Sequence, residues 1–305
     1  MKAFKCLLII VLCLTIAPLA LSQVLGPIQS LREAIEFEWV PPERAFMMGE
    51  PMSFDVIAKN TASDSAIVYQ LDPAMVRVEA EIPFVLINPA EGNPNDTLAP
   101  GQSVRYRYIL IDGMSHKHDP FRGVRSYERE VGLPCLPAGE YWLVYNRGWS
   151  AGDSLDFTVV EPPTAERPIL DSLAQAYVAY QVERHDDAVA MGFTLVEMSA
   201  ESPLTARGLI FARGVAWEND MCDKALALDS LFWEHFGDVS VRSRYLPFPG
   251  VLRATAGVLG KCLEVEERLV RLEVLKAQFP DEEIAREAEH YRNAFTGKLN
   301  CPTCP

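Results

Sequence analysis

Hydrophobic residues in the second half of the chain recur every three or four positions, which is the spacing of one face of an α-helix. The clearest case is residues 265–295, where a break at Phe279-Pro280-Asp281 separates two such stripes. Pro280 cannot sit inside a helix and Asp281 can cap the next one, so this segment predicts two helices joined by a tight corner. Similar stripes recur upstream and predict about seven helices in all. The stripes contain Ile169, Leu173, Ala176, Tyr177 and Tyr180; Val189, Phe193 and Val196; Leu204, Gly208, Phe211 and Val215; Ala225, Leu228, Phe232 and Phe236; Leu252, Ala256, Leu259 and Leu263; Val265, Leu269, Leu272, Leu275 and Phe279; and Ile284, Ala288, Tyr291 and Phe295.

The first half of the chain has a different period, because short runs alternate apolar and polar residues between turn-forming residues. Ile35, Phe37 and Trp39 alternate with glutamates, and Ser103–Ile111 is a longer run of the same kind. We expect about eight strands here, with a loop at residues 88–94. Their number and turn spacing predict an all-β sandwich, immunoglobulin-like in arrangement, followed by an all-α array of helical hairpins.

The predicted organisation has five segments. Residues 1–22 are expected to be a signal peptide, because Lys2 and Lys5 precede an apolar run that is too short to span a bilayer. Small residues before Gln23 suggest cleavage there. We predict a β-sandwich at 24–161, a Pro-rich linker at 162–168, helical repeats at 169–296 and a flexible tail at 297–305. The mature protein is then expected to be soluble and exported, in the periplasm, associated with the cell envelope or secreted.

The acidic net charge of the chain argues against one class of binding partner. The formal net charge of the chain is −14, and acidic residues outnumber basic ones in both halves. Such a surface repels phosphate backbones, so nucleic acid is not expected as a partner.

Two resemblances follow from these patterns. The turns Leu98-Ala99-Pro100-Gly101 and Leu136-Pro137-Ala138-Gly139 precede strands in a way that resembles bacterial immunoglobulin-like export modules. That resemblance places Tyr141 at a tyrosine corner, where its hydroxyl would bond to nearby backbone.

The helical half resembles tetratricopeptide repeats. Its corners at 202–207, 238–242 and 281–286 align with one another, and a period in the thirties with two helices per repeat is typical of that family. The matching residues are Ala225, Gly214, Trp217, Phe232 and the Phe279-Pro280-Asp281 corner, although no repeat meets the full consensus. The resemblance implies a surface that binds proteins. The charged residues of the last helix are expected to lie on its outer face, as a solubilising cap: Glu282, Glu283, Arg286, Glu287 and Arg292.

The sequence contains few residues that could form a metal site or a disulfide. His116, His118 and Asp119 could ligate a metal, but arginines follow them closely, so a solvated loop is preferred. Cys301 and Cys304 lie near the end of the chain as an isolated pair, for which a tail disulfide or thiols without a role are preferred. Cys222 would open one helix and Cys262 close the next, and adjacent antiparallel helices could bring the two together as a disulfide. With five cysteines after the signal peptide, at least one stays unpaired within the chain.

We therefore expect a non-catalytic binding or scaffolding protein that holds a protein or peptide partner on its helical repeats. It is not expected to be an enzyme, and no catalytic, cofactor-binding or metal-ligating residue is assigned. Exposed residues such as Tyr180, Arg207, Trp217 and Arg253 are candidate partner contacts. The alternative is a carbohydrate- or metal-binding sandwich with the helices as spacer, suggested by the insertion at 113–134 and the aromatic residues Trp142, Tyr145 and Trp149.

Overall fold

A computed structural model describes residues 34–69, 76–79, 85–86, 88–89, 95–111, 135–145, 154–238 and 252–298. The predicted signal peptide and the predicted tail from residue 299 onward lie outside these ranges. The described strands are β1 (Ile35–Val40), β2 (Phe46–Met47), β3 (Met52–Asn60), β4 (Ala66–Tyr69), β5 (Val76–Glu79), β6 (Val85–Leu86), β7 (Asn88–Pro89), β8 (Asn95–Leu98), β9 (Ser103–Ile111), β10 (Gly139–Tyr145) and β11 (Ser154–Val160). The described helices are α1 (Arg167–Gln181), α2 (His185–Met198), α3 (Pro203–Glu218), α4 (Cys222–Phe236), α5 (Arg253–Cys262), α6 (Val265–Gln278) and α7 (Glu282–Phe295).

The strands form three small sheets. One has the order β1-β3-β9-β7, a second has the order β2-β11-β10-β5-β6, and a third pairs β4 with β8. In the second sheet β10 runs antiparallel to β11, with Tyr141 opposite Phe157, whereas β2 runs parallel to β11. The predicted strands at 35–39 and 103–111 are present.

The prediction of an all-β, immunoglobulin-like sandwich is wrong. In the described part of the chain the strands are divided among these small sheets, and β2, β6 and β7 have only two residues each. No large sandwich is evident there, and seven helices dominate the described fold. The physical reason is that alternation and turn residues locate single strands, while the pairing between strands is decided by residues distant in sequence. The segment predicted as a loop at 88–94 also begins with β7.

The chain folds into two compact units. The described residues of the first unit are 34–38, 56–69 and 95–106. In this unit the side chain of Asn60 is buried, and its amide donates hydrogen bonds to the carbonyls of Asp64 (2.8 Å) and Leu98 (2.9 Å). Because a buried amide is costly unless its donors are bonded, these hydrogen bonds tie β3 to the end of β8.

The second unit holds residues 39–55, the described residues within 76–89 and all described residues from 107 onward. It therefore contains strands that precede the predicted linker at 162–168 as well as the helices that follow it. Rings of its strands pack together, with centroids 4.8 Å apart for Phe54 and Phe157 and 5.3 Å apart for Tyr141 and Phe157. The hydroxyl of Tyr141 donates a hydrogen bond to the carbonyl of Pro137 (2.8 Å). That local prediction is confirmed, although the sandwich around it is not.

Consecutive helices of the second unit pack against one another, and α3 also packs against α1. Most stripe residues predicted to be buried are buried, among them Leu173, Phe211, Phe232, Leu272 and Ile284. Asp281 caps α7 as predicted, because its carboxylate accepts a hydrogen bond from the amide of Ile284 (2.9 Å). In α2 the predicted Val189 is fully buried, but so is Leu195, which was not predicted, while the predicted Phe193 and Val196 are half-buried.

The prediction that Glu287 lies on the outer face of the last helix is wrong. Its side chain is buried, and one carboxylate oxygen accepts a hydrogen bond from the amide of Leu252 (2.7 Å). Leu252 is the residue before α5, so Glu287 satisfies a backbone donor that the start of α5 leaves without an intrahelical partner. Glu282, Arg286 and Arg292 are exposed, as expected of an outer face.

Two glycines let the helices approach closely. A Cβ added at Gly192 of α2 would lie 2.5 Å from the Cβ of Ala212 in α3, and a Cβ at Gly208 of α3 would overlap the side chain of Leu195. By contrast, a Cβ added at Gly257 of α5 would meet nothing within 4 Å. The close packing of α2 with α3 therefore depends on the missing side chains.

Cys222 and Cys262 form a disulfide, with Cα atoms 5.2 Å apart. It joins the first residue of α4 to the last residue of α5, as hypothesised from the sequence.

Cys135 is buried and free. Burial raises the pKa of its thiol to about 11; Arg207 nearby opposes the rise and Glu161 adds to it.

Gly192→Ala and Gly257→Ala should change stability in opposite directions. Because the new methyl group at position 192 would overpack the interface of α2 with α3, we expect a loss of about 1–3 kcal/mol. At position 257 there is room, and the lower flexibility of alanine in the unfolded chain should contribute about 0.5–1 kcal/mol. Urea unfolding followed by circular dichroism measures both. Equal effects of the two substitutions would contradict the close packing at Gly192.

Replacing both Cys222 and Cys262 by serine should lower the free energy of unfolding by about 2–4 kcal/mol, because a loop of 40 residues is then no longer closed in the unfolded chain. Thermal unfolding measures this loss. Intact-mass analysis after alkylation is the direct check. Alkylation of Cys222 and Cys262 in the unfolded, unreduced chain would show that the bond is absent.

Candidate functional site

A groove of about 480 Å³ lies between α4, α5 and α6. Its lining combines apolar and polar side chains from all three helices. The lining residues are Leu226, Asp229, Ser230, Trp233 and Glu234 from α4, Thr255 and Leu259 from α5, and Arg271, Val274, Leu275, Gln278 and Phe279 from α6 and its end.

A buried ion pair lies beneath this groove. Arg213 of α3 donates from Nη1 to Oδ1 of Asp229 at 2.5 Å, and both side chains are more than nine-tenths buried. Thr255 donates to the same Oδ1 (2.8 Å) and accepts from the indole nitrogen of Trp233 (2.9 Å). Because each of these groups would be costly to bury alone, the network holds α3, α4 and α5 in one arrangement.

Within the described ranges, one carboxylate oxygen of Asp229 accepts no hydrogen bond from the protein. Oδ1 of Asp229 accepts both hydrogen bonds, and Oδ2 accepts none from the protein within the described ranges. Asp229 also lines the groove. A hydrogen-bond acceptor on a mostly buried side chain is therefore available to whatever enters the groove.

The guanidinium of Arg213 does not offer a comparable donor. Its Nη2 has no hydrogen-bond partner in the described part of the chain, but that atom is fully enclosed. The guanidinium carbon lies 5.5 Å from the ring centroid of Phe232, which gives the cation a favourable aromatic neighbour. Arg213 thus acts as the counter-charge of Asp229 rather than as a contact for a ligand.

Side chains from the α4 wall and the α6 wall of the groove contact each other. Arg271 of α6 donates to the hydroxyl of Ser230 in α4 (3.3 Å), and the rings of Trp233 and Phe279 lie 5.4 Å apart. On the α6 wall the side chain of Val274 is 41% exposed, and Val270 one turn earlier is 63% exposed. The groove is open to solvent and has an apolar wall.

A second groove of about 480 Å³ lies between α1 and α2. Its polar residues include Arg184 and Asp187, which form an ion pair that is largely exposed. It has no buried charged side chain at its base. The groove between α4 and α6 is the better-defined candidate.

The four contact residues suggested from the sequence do not line the groove between α4 and α6. Tyr180 and Trp217 are half-buried and Arg253 is exposed. Arg207 was expected to be exposed, and this is wrong, because the residue is only 1% exposed. Its Nη1 donates to the carbonyl of Gly49 (2.7 Å) and its guanidinium lies over the ring of Tyr177, so Arg207 connects α3 to the segment before β3.

Several suggested sites lie outside the described residues. These are His116, His118 and Asp119, the pair Cys301 and Cys304, the insertion at 113–134, Trp149 and the side chain of Tyr145. Trp142 is described, lies in β10 and is 41% exposed. Over the described ranges no three His, Cys, Asp or Glu side chains gather as metal ligands would.

Sequence reasoning missed the Arg213–Asp229 network, although one signal was present. Asp229 follows directly on the buried stripe position Leu228, and Arg213 lies between the buried residues Ala212 and Val215. Charged residues on such faces of two successive helices predict a buried pair. The helical period alone does not show which residues would be partners.

No protein-family model matches the chain, and no curated protein matches it. The tetratricopeptide resemblance therefore stays a prediction from the sequence.

Asp229→Asn should destabilise the protein by about 3–5 kcal/mol, because it leaves the charge of Arg213 buried without a counter-charge. The double variant Arg213→Met, Asp229→Leu should recover much of that loss. As a control, Lys224→Met breaks an ion pair of the same length, 2.5 Å, whose side chains are largely exposed. It should melt close to wild type. A loss for Asp229→Asn no larger than for Lys224→Met, in urea unfolding, would contradict the burial of the pair.

Proposed function

We propose that this is an exported, non-catalytic binding or scaffolding protein that holds a protein or peptide partner in the groove between α4 and α6. The observation that carries the proposal is the groove itself, with an exposed apolar wall above a buried polar network. Surfaces that bind proteins commonly combine an apolar anchor site with a few fixed polar groups. The groove has both.

Rigidity supports the proposal. The Arg213–Asp229 pair joins α3 to α4, Thr255 adds α5, and the disulfide of Cys222 and Cys262 joins α4 to α5 a second time. A groove with fixed walls loses little conformational entropy when a ligand binds, so more of the interaction energy is available for affinity. The same arrangement of successive packed helices underlies the predicted tetratricopeptide-like array.

Export is part of the proposal and is supported by two features. The first is the predicted signal segment at residues 1–22. The second is the Cys222–Cys262 disulfide, since such bonds persist mainly in oxidising compartments. None of the helices in the described ranges has the length and apolar character needed to cross a membrane. We place the mature protein in the periplasm, at the cell envelope or outside the cell.

Filling the groove should abolish partner binding. Val274→Trp places a bulky ring on the α6 wall at an exposed position, so the fold should tolerate it. The matched control is Val182→Trp, at a residue that is 58% exposed just after α1 and does not line this groove. Tagged full-length variants are used to recover partners from envelope extract, and the recovered proteins are quantified by mass spectrometry.

We expect a protein that is recovered by wild type and Val182→Trp to be reduced at least tenfold with Val274→Trp. Circular dichroism melts should show that both variants fold. Equal recovery by the two tryptophan variants would reject the groove as the binding surface.

A further inference from the structure

We propose that the groove between α4 and α6 takes an aromatic side chain that carries a neutral hydrogen-bond donor, with tyrosine as the simplest case, from a partner polypeptide. The inference rests on the proposed function and specifies the ligand chemistry of the same groove. The ring would lie between the apolar walls, and its hydroxyl would donate to Oδ2 of Asp229.

The acceptor is the first part of the argument. Oδ1 of Asp229 already accepts from Arg213 and Thr255, while Oδ2 accepts from no group in the described ranges. The side chain is 8% exposed and lines the groove. With Oδ1 already occupied, the carboxylate cannot pair both of its oxygens with a guanidinium, which favours a single O–H or N–H donor over the two-pronged side chain of arginine.

The charge balance favours a neutral donor. Arg213 lies against Asp229 and compensates its negative charge. Among the groove-lining side chains, Arg271 adds a positive charge and Glu234 a negative one. With these charges balanced, an ammonium group would lose its hydration without a matching gain. A phenol hydroxyl has less hydration to lose.

The walls favour an aromatic ring. The apolar lining includes Leu226 and Trp233 from α4, Leu259 from α5, and Val274 and Phe279 from α6 and its end. Trp233 is fully engaged, since its indole nitrogen donates to Thr255 and its ring packs against that of Phe279. A flat ring with one polar atom fits a groove that combines apolar side chains with a free acceptor on the mostly buried side chain of Asp229, and tyrosine is enriched at interfaces for this reason.

Three peptides that differ at one side chain test the inference: acetyl-Gly-Ser-Tyr-Ser-Gly amide and its versions with phenylalanine or lysine in place of tyrosine. Affinity for the full-length, oxidised protein is measured by isothermal titration calorimetry. The tyrosine and phenylalanine peptides differ by one hydroxyl. A site that hydrogen-bonds a hydroxyl rejects the analogue without it, so we expect the tyrosine peptide to bind at least about tenfold more tightly than either other peptide. Val274→Trp should remove this preference, and Val182→Trp should retain it.

The inference would be overturned by equal affinities for the tyrosine and phenylalanine peptides. It would also be overturned if the lysine peptide bound most tightly, or if no peptide bound. A tyrosine preference that persists in Val274→Trp would also overturn it, because the ligand would then bind elsewhere. These failures differ from failure of the proposed function. If Val274→Trp still abolishes recovery of the envelope partner while the peptides show no tyrosine preference, the groove binds a partner of other chemistry. If recovery is unchanged, the groove is not the binding surface.

Discussion

A buried charge must keep its counter-charge, and the groove between α4 and α6 depends on that constraint. Asp229 sits among apolar residues of α4, where a lone carboxylate would be costly. Arg213 reaches it from α3, and Thr255 reaches it from α5. Three helices are therefore fixed relative to one another by a single oxygen atom. Hydrophobic packing alone would tolerate small slides between the helices, whereas this bond geometry does not.

Helix α3 packs against α1, α2 and α4, and its two buried arginines reach partners in different directions. Arg207 bonds the carbonyl of Gly49, more than 150 residues earlier in the chain, and Arg213 bonds Asp229 in the next helix. Their long side chains carry charge into a region packed with apolar residues, where each finds its own partners. The same helix lies close to α2 because Gly192 and Gly208 have no side chains. Stability and the shape of the groove thus have a common origin in α3.

Local patterns in the sequence predicted local structure well. The helical stripes, the cap at Asp281 and the hydrogen bond of the Tyr141 hydroxyl each follow from residues whose partners are set by helix or turn geometry. The pairing of Cys222 with Cys262, 40 residues apart, could be predicted because the two residues lie at the ends of successive antiparallel helices. The failures concern partners that neither helix nor turn geometry specifies. Strand runs did not reveal how the strands pair, and charge alone did not show that Arg207 and Glu287 are buried. Long side chains can reach partners in either direction, so their burial depends on the assembled fold. The candidate site, built from Asp229 and Thr255, belongs to this second group.

Hydrogen–deuterium exchange of wild type and Asp229→Asn, followed by mass spectrometry, tests most directly whether the buried pair holds the groove together. If it does, amides of α4 and α5 should show the largest increase in exchange rate in the variant, because these helices lose the hydrogen bonds that fix them, while α1 should show a smaller increase. Unchanged exchange in α5, or an equal increase in every helix, would contradict the account. In either case the pair would not be what positions the walls of the groove.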